Sequence, residues 1–523
     1  MKLKSIIRHP IKAAATWLRT DTGYDAAKFV RAFRNWFPSM GSPDGEIIKD
    51  LSTLRSRSRD LYRNNGVARG AIRLMVSNVI GRGLKLQSVI DRPTIQKYFG
   101  WTDEQSADYF NNLENKIETR FRLWAESKES DARGQRTFYE NQSLIYLSKL
   151  VSGEVFVTLP MRTHKNGMFK LRVGLIEADQ VQSPGNSYAT TNNRDGLITD
   201  DEGTPISVWI NKNQETYPYR FEEIPFFGKE SGRPLVLHIF KADRPGQSRG
   251  VPYLAPVMQI LKDMDAYKKA ELIRAKVVSL FSVFIKSQNA NALNSNGIVT
   301  NDPQDATSET AEGRDYTLAP GAVMQLQPGE DVTFGNPGNV SSNYEPLSTA
   351  LMIEVGMALG IPHEILRRYF GASYSASRGA VEEYKKEVRI ERDEMESDVC
   401  APVFREWLIE EALAGSINML GFFDNAEIQA AYTGSTWTGE SMGLIDVTKE
   451  IQASRDLIDA GFSNATDETA KLTGGDYSQN LRILMREKQL RESLGLDNIG
   501  TGPQVSANVQ PAQAVQGTQA VNQ

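Results

Sequence analysis

The chain has 523 residues and a formal net charge of −5, with 40% hydrophobic and 24% charged residues. That balance is the one of a soluble globular protein of roughly three to four domains, and it excludes a largely disordered chain or a membrane channel. The most apolar stretch, Val277 to Ile285, is far shorter than the roughly 20 residues of a spanning helix, and the single cysteine, Cys400, excludes an intrachain disulfide framework or a cysteine-only zinc site and makes intracellular assembly the default.

The charge is uneven. Residues 1–73 hold 15 Lys/Arg against 6 Asp/Glu, a local +9, so the remainder carries −14. Such asymmetry suggests a polyanion or an acidic partner at one end. The N-terminal run MKLKSIIRHPIKAAATWLRT does not read as a secretory signal, because Arg8, His9, Pro10 and Lys12 interrupt any apolar core. Residues 1–45 read as a basic, loosely attached helical arm ending in the breakers Pro38, Gly41, Pro43 and Gly45.

A helix is expected from Glu46 to Val79, stopped by Gly81 and Gly83. A second is expected over 102–130, with a Thr102/Gln105 capping box and Leu113, Ile117, Phe121 and Trp124 on one face. A third covers 138–152. The period then changes to two: GEVFVTLP, FKLRVGLIEA, PISVWIN and PLVLHIFK read as strands of an antiparallel-leaning sheet. Residues 50–245 thus form an α+β unit.

Pro252 to Lys286 reads as one long helix of about 50 Å. Its second half is apolar almost all round, which demands burial either in a core or between identical helices of neighbouring subunits. Residues 287–315 are polar and read as an excursion without a core, followed by short strand-like pieces in 316–334. Further helices are expected from Tyr344 to Gly360, from Ser377 toward Ala414 with Pro402 as a kink, and in pieces between 444 and 495. The tail, 501–523, has no charged or aromatic residue and reads as disordered.

Catalytic motifs are scarce. His363–Glu364 opens like a zinc-protease motif, but Arg367 stands where the second histidine belongs. The sequence has no P-loop and no GxSxG elbow. GASYSASRG, 371–379, can cradle a phosphate through backbone amides or serve as a plain linker. No metal and no cofactor is expected. Arg55, Arg57, Arg59, Arg63, Arg69 and Arg73 form a dense run opposed only by Asp60, fitting either a phosphate-binding patch or an intersubunit salt-bridge surface. The helix 377–399 carries five Lys/Arg and eight Asp/Glu, with Val381, Val388 and Met395 as an apolar stripe. A net acidic face does not grip DNA and suits a passage along which DNA slides, or plain solvent.

Four segments, in this order, resemble the lambda-type portal proteins of tailed bacteriophages. They are RSRSRDLYRNNGVARGAIRLMVSNVIGRGLKLQS (55–88), WAESKESDARGQRTFYENQSLIYLSKLVSGEVFV (124–157), FKADRPGQSRGVPYLAPVMQILKDMDAYKKAELIRAKV (240–277) and MALGIPHEILRRYFGASYSASRGAVEEYKKEV (357–388). The resemblance runs over about 25–495. It implies a non-enzymatic subunit of a ring, usually of twelve, at one capsid vertex, through which double-stranded DNA enters and leaves. The implied parts are an N-terminal arm (1–45), a wing (46–250), stem helix 1 (251–286) and a clip (287–342). They continue with stem helix 2 (343–361), a tunnel loop (362–377), a tunnel-side helix returning to the wing (378–439), a crown (440–500) and a tail (501–523). The implied partners are the terminase large subunit, head-completion proteins, and major capsid and scaffold proteins, in the virion and, during assembly, the host cytoplasm. On this resemblance and the charge pattern, Arg367, Arg368, Tyr369 and Arg378 are expected to touch the DNA backbone. Glu382, Glu383 and Glu387 are expected to supply an acidic lumen, and Val277, Val278, Phe281 and Phe284 to pack subunit on subunit. Arg55, Arg57, Arg59 and Arg63 are the expected basic patch. Two other readings compete: a structural minor capsid protein without a DNA channel, and a nucleic-acid-binding enzyme, ranked last for lack of metal or nucleotide ligands.

Overall fold

The computed structural model describes residues 35–38, 40–165, 167–185, 192–213, 219–280, 284–287, 330–333, 344–370, 374–442 and 447–494, with only the backbone path given for 277–280, 284–287, 330–333 and 374–375. The expectations for residues 1–34, for Phe281, for most of 288–343 and for the tail lie outside the described residues.

Helix α1 (Pro43–Asn64) begins earlier than expected. Ser42 is its N-cap, its hydroxyl accepting from the Gly45 amide at 3.2 Å. Pro43 is thus a first-turn residue rather than a breaker, because its missing N–H is unneeded there. The expected single helix is divided at Asn65, which ends α1 and caps α2 (Gly66–Val79) through its side chain to Ala68 N, 2.9 Å. Strand β1 (Lys85–Ser88) and helix α3 (Arg92–Phe99), neither expected, lead to α4 (Asp103–Glu126), which carries the Thr102/Gln105 capping box. Helix α5 (Phe138–Ser152) has a second box, from Thr137 and Glu140.

Helix α5 ends at Gly153, at φ +87; an added Cβ would lie 2.5 Å from the Gly250 carbonyl oxygen. Only glycine fits this close approach. It delivers the chain into β2 (Glu154–Thr158), which is antiparallel to β3 (Gly174–Glu177) on one side and β8 (Val236–Phe240) on the other. A separate antiparallel sheet follows chain order: β4 (Asn193–Arg194), β5 (Leu197–Thr199), β6 (Pro205–Asn211) and β7 (Phe221–Pro225). The expected single sheet is therefore two. Their shared face holds Phe156, Val181, Leu197, Val208, Ile210, Phe226 and Val236. The alternation in β2 explains this: Phe156 faces that cluster, whereas Val155 and Val157 face the main core.

The main core joins distant segments. Phe121 and Trp124 of α4 and Phe138 of α5 meet Phe404 and Trp407 of α10 (Ala401–Leu413) and Trp437 of β11 (Ser435–Thr438). Strand β11 pairs with β1, Leu86 opposite Trp437. Helix α11 (Ala426–Tyr432) adds Ile428 and Tyr432.

The long helix expected over 252–286 is shorter. A single turn at Ala255–Val257 precedes α6 (Met258–Leu280), whose 23 residues span about 35 Å. Phe284 lies not on a helix but in β9 (Phe284–Ser287), antiparallel to β10 (Glu330–Thr333). The β-branched and aromatic residues of VFI carry strand propensity that the apolar-run argument ignored. Helices α7 (Tyr344–Ala358), α8 (His363–Arg367) and α9 (Tyr374–Met395) follow. Between α9 and α10 lies a π-helical turn, Glu396–Cys400. Pro402 cannot donate, and the wider turn just before it absorbs the defect without breaking the helix. Helices α12 (Val447–Asp459), α13 (Ala465–Thr473) and α14 (Tyr477–Ser493) end the described chain. No described helix is long and apolar enough to cross a membrane.

Candidate functional site

The sequence stripe of α9 shows how the region 361–395 is fixed. Tyr384, Val388 and Met395 are buried, and Val381 is half-buried. Tyr384, missed in the sequence, accepts from Asn78 Nδ2 at 3.4 Å through its hydroxyl, which in turn faces Met75 Sδ. Burial pushes its phenol up to about 12, so it stays protonated. Arg392 donates to the carbonyl oxygens of Val79 (2.9 Å) and Asn78 (2.7 Å), closing the C-terminus of α2.

Helix α7 turns back through Gly360, at φ +63, and the Ile361 amide returns to Gly356 O at 2.9 Å. A Cβ on Gly356 would lie 2.5 Å from the Ile361 oxygen, so this corner is packed backbone on backbone. It presents α8. Arg367 donates to Thr349 Oγ1 at 3.1 Å and lies 5.7 Å over the Tyr369 ring. Arg368 caps α8 in the left-handed region at φ 54 and is exposed. Tyr369 and Phe370 are 65% and 55% exposed. Arg378 is exposed on the first turns of α9. Arg368, Arg378, Tyr369 and Phe370 are thus exposed, while Arg367 is held.

The acidic residues are not equivalent. Glu382 pairs with Lys385 at 2.9 Å and Glu383 with Lys386 at 2.8 Å, both within α9, and Glu387 is half-buried against Gly360. Between Arg378 and Ile390 cations and carboxylates are nearly balanced. The acidic excess lies further along, and two of its members, Glu391 and Glu394, are engaged internally. Glu391 meets Lys149 (3.2 Å), Lys241 (2.8 Å) and the Tyr146 hydroxyl (3.2 Å); Glu394 meets Lys149 (2.6 Å) and Lys241 (2.8 Å). Burial opposes the charge of Glu394, but the two lysines outweigh it and hold the carboxyl below its ordinary range.

The arginine run also divides. Arg55 is buried and donates to Glu154, and Arg59 pairs with Asp179 and, at 3.0 Å, with Glu177. These two are internal ties, not a patch. Arg57, Arg63, Arg69 and Arg73 are exposed. Glu154 is the hub that sequence reasoning missed. It is fully buried and accepts from Arg249 Nε (2.8 Å) and Nη2 (2.6 Å), from His238 Nε2 (2.9 Å) and from the Gly250 amide (2.9 Å). Burial opposes ionisation, yet Arg249, His238 and Arg55 together hold the carboxyl well below its ordinary range. Burial likewise lowers His238, which is therefore neutral and donates through Nε2. Glu154 opening an otherwise apolar strand was the available signal.

His363 Nδ1 meets Glu364 at 3.0 Å. Among the described residues no group of three or more His, Cys, Asp or Glu could hold a metal ion. Burial pushes the Cys400 thiol well up, which makes it a poor nucleophile. Val277 and Val278 lie on α6 and Phe284 on β9.

The model of the lambda family of phage portal proteins matches residues 30–392. The portal protein of Escherichia phage N15 is 26% identical over 95% of both chains. Portal protein B of Escherichia phage lambda is 26% identical over 92% of both. Among solved structures, a chain of a native gene transfer agent virion is 13% identical, with a TM-score of 0.42, over 80% of this chain and 92% of that one. A chain from the neck of that particle type, computed with C12 symmetry, is 14% identical with a TM-score of 0.41, over 81% and 94%. With a family match spanning well over half of its length, the chain belongs to the lambda family of phage portal proteins.

Proposed function

We propose that the protein is the portal subunit of a tailed phage: a non-enzymatic part of a ring of twelve, at one capsid vertex, through which double-stranded DNA is packaged and ejected. The observation that carries this reading is the family match over 30–392 together with near full-length relatives named as portal proteins. Nothing specific favours a minor capsid protein without a channel.

In this reading the α+β unit with its two sheets is the wing. Helices α6 and α7 are the stem, with Val277 and Val278 of α6 as subunit-packing positions, while Phe284 lies past the stem helix on β9. Residues 287–342 are the clip, on which the terminase large subunit docks during packaging and head-completion proteins dock afterwards. Residues 362–377 are the tunnel loop, and α12–α14 the crown. Scaffold and major capsid proteins meet the outer surface and the arm, in the host cytoplasm before the virion is complete.

The proposed mechanism is electrostatic and geometric. Arg368, Arg378 and Tyr369 touch phosphates and sugars briefly, and Arg367, anchored on Thr349, sets the loop. Glu382 and Glu383, each neutralised by a lysine of the same helix, leave a wall that neither holds nor repels DNA strongly.

The test is trans-complementation of a phage lacking this gene. The wild-type chain should restore DNA-filled heads. The double variant Arg367→Gln/Arg368→Gln should assemble rings and heads yet package or retain several-fold less DNA. Wild-type packaging by that variant would remove the DNA-contact assignment, and filled heads without any copy of the chain would remove the portal reading itself.

A further inference from the structure

Helix α14 is the most anomalous element of the described chain: none of its residues from Tyr477 to Ser493 is buried. Yet Leu481, Ile483, Leu484, Met485 and Leu490, with Leu494 just past its end, are between 44% and 63% exposed. A lone helix of this length is marginal in water, and a uniformly solvated one has no use for these side chains.

Their placement carries the argument. At about 100° per residue, Leu481, Leu484 and Met485 form one stripe, and Ile483, Leu490 and Leu494 a second, about 150° away. Arg482 projects about midway between them and donates to Asn115 Oδ1 of α4, so the side that meets its own chain is the one between the stripes. Asp476 caps the helix start at 3.0 Å. The two apolar stripes therefore lie on opposite flanks.

We infer that α14 is an intersubunit helix, the first stripe of one copy packing on the second stripe of the next. Two unlike flanks suit a heterologous contact, which closes into a ring when the rotation between copies does; an isologous dimer would cover like with like and leave the other flank bare. Charge agrees. With the helices parallel and level, Lys488, which continues the line of the first stripe one turn toward the C-terminus, comes beside Glu487 at the edge of the second on the next copy. Within its own chain Lys488 has only a distant, exposed contact with Glu492 at 3.9 Å. The inference rests on the ring reading and adds to it which residues join the subunits at this level.

The test is cross-linking of the assembled full-length protein. Cys400 is buried, so the wild-type chain is the silent control. Ile483→Cys/Met485→Cys, treated with a short bismaleimide, should give a ladder of successive multimers on denaturing gels, and each single variant should give monomer. Dimers from a single variant, or no ladder from rings that microscopy shows intact, would overturn the inference and leave the ring reading standing. Absence of rings from the wild-type chain would remove both. Lys488→Glu should lower the ring fraction several-fold and Lys488→Glu/Glu487→Lys should restore it; an unchanged ring fraction in the first variant would also count against the pairing.

Discussion

Arg55 and Arg249 in the α+β unit and Leu484 and Leu490 in α14 are the extremes of this molecule. In the first region charged groups are buried and answered within the chain: Glu154 takes Arg55, Arg249, His238 and the Gly250 amide. In the second, apolar groups are exposed and unanswered. The first pattern makes a unit whose shape is set before assembly. The second leaves apolar surface that stands open among the described residues. The same division runs within one helix, where Arg55 is buried in an ion pair and Arg57, two residues on, is exposed.

The sharpest way to break the comparison is at its hub. Glu154→Gln keeps the shape and removes the charge, leaving the buried guanidiniums of Arg55 and Arg249 with only the partly exposed carboxylates of Asp179 and Asp195 to answer them. We expect a loss of about 3–5 kcal/mol, read as a lower urea midpoint and poor soluble yield. A loss below 1 kcal/mol would mean that the network does not hold the unit together.

A smaller effect is expected where the two regions meet. Glu118 on α4 accepts from the Ser88 amide at 3.0 Å and faces Asp476 and Arg482 at the start of α14. Burial, opposed by the Ser88 amide, raises its carboxyl from 4.5 to about 7. The folded state therefore binds the proton more tightly than the unfolded chain. Its contribution is fully present below about 4.5 and is lost as the pH rises to about 7. Glu118→Gln should flatten that part of the pH–stability profile and gain at most about 3 kcal/mol at pH 8. An identical profile in the variant would place the titration elsewhere.

The smallest effect belongs to Arg57. Exposed on α1, it should cost less than about 0.5 kcal/mol as Arg57→Ala, against several for Arg55→Ala. Equal losses would erase the distinction between the two halves of the arginine run.

Local structure was legible where one residue's chemistry decides it. The Thr102/Gln105 box, the span 138–152 and the strands 205–211 and 236–240 lie where periodicity and capping place them. What periodicity cannot see is long-range. Strand β1 is short and polar, and only Trp437 opposite Leu86, contributed by a segment about 350 residues away, makes it a strand. The buried charges were hidden for the same reason. Arg55 looked like part of a patch because its partner lies 99 residues on, and the acidic surplus of 377–399 looked like a surface because Lys149 and Lys241 come from other elements. The apolar run at 277–285 misled in the other direction, since an all-round apolar segment fits a strand as well as a helix.

The central claim is the ring, and electron microscopy of the negatively stained, purified full-length chain with its native mass tests it most directly. The account predicts rings with a central opening and a mass near 700 kDa, twelve chains of 58.3 kDa. A defined small oligomer without an opening, from a preparation of the chain that complements a phage lacking this gene, would contradict it.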